Sequence, residues 1–159
     1  MSKAILISIK PKWVAKILNG EKTIEIRKRF PKDYVGWVYI YCTKDKKYAN
    51  LINRGGFLTG MVVARFWCDK VEEIRPSTID NFAKDSCLTI QELENYLWSN
   101  ILFGYAIHIT KLEIFDKPKE LSEFNVRHYP QFACFVKNET HYELAPLTKA
   151  PQSWCYIEV

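Results

Sequence analysis

The chain has 159 residues, 48% of them apolar and 14% aromatic, which excludes a disordered chain and suits one domain with a real core. A chain of this size buries roughly 70% of its unfolded surface, and no apolar run approaches the ~18–20 residues of a membrane span. Net charge is +5 and unevenly spread: residues 1–50 hold 12 Lys and Arg against 4 Asp and Glu, a net of +8, while residues 51–159 net −3. That asymmetry points to an anionic partner, nucleic acid first.

Ala4–Ile9 reads as a buried strand, too short for a signal segment and running straight into Lys10-Pro11. A cytoplasmic location is expected. Pro11 suits the first position of a helix over 11–19, in which Val14, Ile17 and Leu18 share one face. Gly20 fits the left-handed position just past its end. The period then changes to two: Ile24 and Ile26 point one way, and Thr23, Glu25, Arg27 and Arg29 the other. Three cations (Lys22, Arg27, Arg29), a carboxylate and a hydroxyl thus fall on one strand, a rigid place for recognition or chemistry.

Residues 30–34 turn, and Gly36–Thr43, apolar on both faces, is expected as a central strand with Trp37 in the core. Tyr48–Arg54 reads as a helical turn and Phe57–Cys68 as a long strand with Gly60 at a bulge or barrel corner. Asp69–Arg75 reads as a turn. Thr89 and Glu92 form a capping box with Leu88 and Leu93 as its staple, giving an amphipathic helix over 89–99 with Ile90, Leu93 and Leu97 as its stripe. Tyr105–Phe115 alternates as one strand, stopped by Pro118. Gln131–Val136 and Tyr142–Leu147 are expected to pair as a hairpin, and Ser153–Val159 to form an edge or closing strand. Six or seven strands with two or three helices describe an α+β fold, a small and mostly antiparallel barrel flanked by helices.

The five cysteines are scattered, with no C-x-x-C pair, and read as reduced, buried thiols. The histidines are scattered too. No metal site and no cofactor are expected.

Ser8-Ile9-Lys10-Pro11, the helix after it and Gly20-x-Lys22-x-x-Glu25-x-Arg27 resemble the signature of ASCH domains, small relatives of the PUA fold. Further along, Phe103–Ile107, Leu112–Pro118, Leu121-Ser122 and Ala150–Trp154 resemble later blocks of bacterial and phage members. The resemblance spans most of residues 1–159 as a single domain, with a gap at 124–149 read as a variable insertion. It implies a PUA-like barrel in which the motif's lysine, glutamate and arginine lie in a polar cleft proposed to bind RNA.

Two classes of function follow. For binding, Lys10, Trp13, Lys22, Glu25, Arg27, Arg29, Ser153 and Trp154 are the candidate residues: lysines attract phosphate, arginines add paired contacts, and Trp13 and Trp154 can stack a base. The Glu25–Arg27 pair also reads simply as a salt bridge. A regulatory role on transcripts or translation is expected, with RNA, another nucleic acid or a nucleoside-like molecule as partner and no membrane. A protein partner at 124–149 stays open.

For catalysis, the resemblance implies either an amidohydrolase acting on N4-acetylcytidine or a ribonuclease. The amidohydrolase motif reads G-x-K-T-x-T-x-R, with lysine as base, the second threonine as nucleophile and a later carboxylate assisting. Lys22, Thr23 and Arg27 match it, but Glu25 stands in the nucleophile's place. If the chain is an enzyme, Lys22, Glu25 and Thr23 are its catalytic candidates, with Asp85 as the later acid.

Overall fold

The computed structural model describes residues 2–47, 59–98, 103–129 and 142–159. Among these are ten strands in two sheets and three α-helices. Strand β1 (Lys3–Ile9) is followed by helix α1 (Pro11–Leu18), β2 (Ile24–Arg27), β3 (Gly36–Cys42), β4 (Val62–Cys68) and β5 (Val71–Ile74). Then come the short helix α2 (Ala83–Ser86), α3 (Ile90–Leu97), β6 (Gly104–His108), β7 (Thr110–Lys119), β8 (Asn125–His128), β9 (Glu143–Pro146) and β10 (Trp154–Glu158).

The larger sheet runs β7-β4-β3-β1-β10-β8-β9 and the smaller β2-β6-β5. Among the described residues the ladders form these two open sheets, and none closes the larger one into a barrel. The β1/β3 pair is parallel, Ile5 opposite Val38 and Ile9 opposite Cys42, and the other described ladders are antiparallel. A parallel pair needs a crossover, here supplied by α1 and β2.

Three apolar clusters hold the layers together. Ile5, Ile7, Val38, Ile40 and Phe66, on one face of the large sheet, pack with Val14 and Ile17 of α1 and Ile107 of β6. Ile24, Ile26, Ile74 and Ala106 of the small sheet pack under Leu93 and Leu97 of α3. On the far face of the large sheet, Leu6, Tyr39, Tyr41 and Ile157 meet Phe124. The two-residue period of β2 therefore sends Ile24 and Ile26 towards α3 and leaves Glu25 and Arg27 for the opposite face.

Several expectations are corrected. The run 105–115 is not one strand: it breaks at Ile109, whose N–H donates to the Thr23 carbonyl at 2.9 Å, and the chain joins the large sheet at Thr110, opposite Trp67, with Lys111 next at φ 44°. Alternation persists across such a sheet switch, so periodicity cannot reveal it. The strand also continues through Pro118 to Lys119, because β7 is a sheet edge where a missing N–H is tolerated.

Residues 71–74 form a strand rather than a turn; as the edge of the small sheet, β5 needs little apolar character. Strand β10 is interior, between β1 and β8. Gly60 sits in the turn into β4 at φ +81°, with its N–H on the Cys42 carbonyl. Ile90 is 43% exposed and leaves the α3 stripe to Leu93 and Leu97. Trp37 is half-buried, edge-on to Trp67 and covered by the Arg65 guanidinium. The described part of the expected hairpin, β9, pairs with β8; its other arm, 131–136, lies outside the described residues, as do 48–54.

Candidate functional site

Lys22 enters the fold through the end of α1. Asn19 caps the helix, Gly20 takes φ +82°, and the Lys22 N–H then bonds the Lys16 carbonyl at 2.9 Å. This reversal turns the lysine inward until its side chain is 2% exposed. Its Nζ donates to the Ser86 carbonyl at 2.8 Å. That oxygen ends α2, where terminal carbonyls lack helical partners, and the chain turns away through Cys87 at φ 58°.

Glu25 lies between two cations. Its Oε2 is 3.3 Å from Lys22 Nζ and its Oε1 is 3.1 Å from Arg27 Nη2, with the carboxylate 8% exposed and Arg27 11%. Arg27 Nη2 also donates to the Ser8 carbonyl at 2.6 Å, and Nη1 to Ser153 Oγ at 3.4 Å. Its Nε is buried with no hydrogen-bond partner among the described residues. Ser8 in turn is tied to the loop before β10, its Oγ donating to the Pro151 carbonyl and its N–H to that of Ser153.

This row borders a cleft of about 410 Å³, within the usual size of small-ligand sites. Trp13 of α1 and Tyr96 of α3 contribute aromatic surface, with Lys10 and Glu92 also lining it. Lys12 Nζ and Lys22 Nζ lie 4.5 and 5.4 Å from the Trp13 ring centre. Burial pushes the Tyr96 hydroxyl's pKa up; Arg27 opposes the shift and Glu25 adds to it, so Tyr96 stays a neutral phenol. The Thr89 backbone N–H holds the Glu92 carboxyl below its ordinary range, the same bond that closes the α3 capping box. Lys28 lies over the Tyr96 ring at 5.3 Å.

The fold thus brings Lys10, Trp13, Lys22, Glu25 and Arg27 to one cleft, with Ser153 joined through Arg27. Other candidates lie elsewhere. Thr23 is exposed, its backbone bonded to Asp85 and Ile109, because the chain is still turning into β2 at that point. Arg29 is exposed and offers its carbonyl to the Trp154 indole N–H at 2.8 Å. Trp154 packs edge-on against Phe30 and Tyr156. Asp85 is exposed; the neighbouring Ser86 carbonyl makes the contact to Lys22. Lys16 pairs with Glu21 at 2.9 Å on the surface.

Sequence reasoning missed Tyr96 and the cleft position of Glu92. The spacing of both from Thr89 on a capped helix could have placed them on one face, four residues apart.

No family model matches the chain, and no curated protein matches it. Solved structures do. A serine-to-alanine mutant of the ASCH protein from Zymomonas mobilis aligns at a TM-score of 0.64 with 16% identity, covering 98% of this chain and 88% of that one. A tyrosine-to-phenylalanine mutant gives 0.59 and 17% over 76% and 77%, and the ASCH structure from the same organism gives 0.58 and 18% over 74% and 73%. The chain has the ASCH-domain fold.

Proposed function

We propose that the cleft binds RNA, single-stranded or structured, in a regulatory role. The observation that carries this reading is the buried Lys22–Glu25–Arg27 row opening on a cleft that also exposes Trp13 and Tyr96. A buried ion-pair network is weak support for stability, because desolvation offsets much of its attraction. The buried Arg27 Nε–H, without a hydrogen-bond partner among the described residues, adds to that expense. Aromatic surface for a base and lysines at the cleft's edge for phosphate complete a nucleotide-sized site.

The amidohydrolase reading is less favoured. Thr23 is exposed and Glu25 occupies the nucleophile's position, so the motif strand presents no hydroxyl beside Lys22. Activation of a hydroxyl needs a base within hydrogen-bond reach. Ribonuclease activity would use the same bound RNA and is tested with it.

The experiment is fluorescence anisotropy of labelled single-stranded RNA over a salt series. Micromolar binding that weakens steeply with salt, with the RNA recovered intact, is the expected result. Lack of binding at low salt would sink the reading, and shortened RNA would replace it with cleavage.

A further inference from the structure

We infer that Lys22 is a positioning residue, the fastener that seats the α2–α3 wall of the cleft against the motif strand, and that it carries no phosphate itself; the role rests on the function proposed above. Two short segments meet at this point. The Thr23 N–H donates to the Asp85 carbonyl at 2.9 Å, Lys22 Nζ to the Ser86 carbonyl at 2.8 Å, and Cys87 Sγ to the Glu21 carbonyl at 3.4 Å. Of these three, the lysine bond alone is made by an ionised side chain, and charge-assisted hydrogen bonds are the stronger kind. Ser86 is buried and ends a helix of four residues, too short to hold its place without tertiary contacts. The chain then turns through Cys87 at φ 58° into Leu88 and the capped start of α3. Leu88, Glu92 and Tyr96, spaced to share one helix face, are what this wall gives the cleft. Where the Ser86 carbonyl is held, these side chains follow.

A phosphate has little to gain from Lys22. The side chain is 2% exposed, and an anion reaching Nζ would also meet the Glu25 carboxylate 3.3 Å away. Two of the three N–H groups of the ammonium are taken by the Ser86 carbonyl and Glu25. Lys10 and Lys12 differ: both are exposed at the start of α1, beside Trp13, where a phosphate can be met from solvent.

The test uses Lys22→Met, which keeps the apolar stem and removes the ammonium, in RNA anisotropy over a salt series. It should bind about tenfold more weakly than wild type, the loss when the seated wall falls to a tenth of the population. The salt slope should stay at the wild-type value, whereas removing a lysine that neutralised a phosphate would flatten it by about 0.7. In the RNA-free variant the backbone amides of Glu92 and Tyr96 should shift while those of β8 and β9 stay. A lysine that only stabilised the fold would leave the α3 amides in place. In the wild-type chain Lys22 should resist reductive methylation both with and without RNA, an arm that decides the matter if Lys22→Met does not fold.

A slope flattened by about 0.7, unmoved α3 amides, or methylation of Lys22 that RNA suppresses would each overturn the role and leave RNA binding standing. If the wild-type chain binds no RNA, RNA binding falls, and the α3 amides alone decide whether Lys22 seats the wall.

Discussion

At the scale of single residues, Glu25 holds the site together. Its carboxylate pairs with two cations that the fold has taken almost wholly out of water. Glu25→Ala leaves both uncompensated, and breaking a buried pair by removing one partner destabilises by roughly 3–5 kcal/mol. Urea denaturation should show a loss of that order. A loss below about 1 kcal/mol would mean that water reaches Lys22 and Arg27. Trp13 has a different part: it is half-buried, with two lysines near its ring. Trp13→Ala should weaken RNA binding by about 1–3 kcal/mol if it stacks a base, while Trp154→Phe, outside the cleft, should leave RNA affinity unchanged.

At the scale of elements, α3 brings Glu92 and Tyr96 to the cleft and is held by its N-terminal capping box. Both reciprocal bonds are present, Glu92 N–H to Thr89 Oγ1 at 3.1 Å and Thr89 N–H to Glu92 Oε2 at 2.8 Å. Thr89→Ala should therefore lower stability by about 1 kcal/mol. The depressed Glu92 pKa fixes the acid behaviour: its contribution is complete above the ordinary carboxylate value of 4.5 and is lost as pH falls through the lower folded value. A denaturation series below pH 4.5 should show the acid limb flattened in Glu92→Gln.

The same capping box was legible in the sequence because Thr89, Glu92, Leu88 and Leu93 sit close together along the chain. So was the α1–Gly20–β2 unit, where a proline start, a glycine stop and a change of period agree. What could not be read depends on distant partners. The switch of sheets at Ile109 is made by a bond to Thr23, and the β5 edge strand is defined by its pairing with β6. Thr23 and Arg29 share the parity of Glu25 but lie at the two ends of β2, where the chain leaves the strand geometry that would have aimed them into the cleft. Trp154 looked accessible beside a proline loop, yet Phe30 and Tyr156 engage its ring.

At the scale of the whole molecule, two features govern its response to solution conditions. The first is thiol burial: burial raises the pKa of Cys42 to about 12, and of Cys68 and Cys155 to about 11, from 9.0. The folded state keeps these protons after the unfolded chain has lost them. Their contribution is thus complete below pH 9 and should drain away as pH rises towards 11 to 12, visible as a falling urea midpoint. The second is the concentration of positive charge in residues 1–50, the segment that supplies Lys10, Lys12, Lys22 and Arg27. For single strands the slope of log K against log salt is about −0.7 per neutralised phosphate. Two to four contacts would give a slope between about −1.4 and −3.

Whether RNA occupies this one cleft can be read from an amide-resolved NMR titration of the chain with single-stranded RNA. With RNA in the cleft, the Trp13 indole and the backbone amides of Lys22, Glu25, Arg27 and Tyr96 should move together along one saturating curve. Shifts confined to the outer edge of the large sheet, at β7 or β9, or no shifts at low salt, would contradict it.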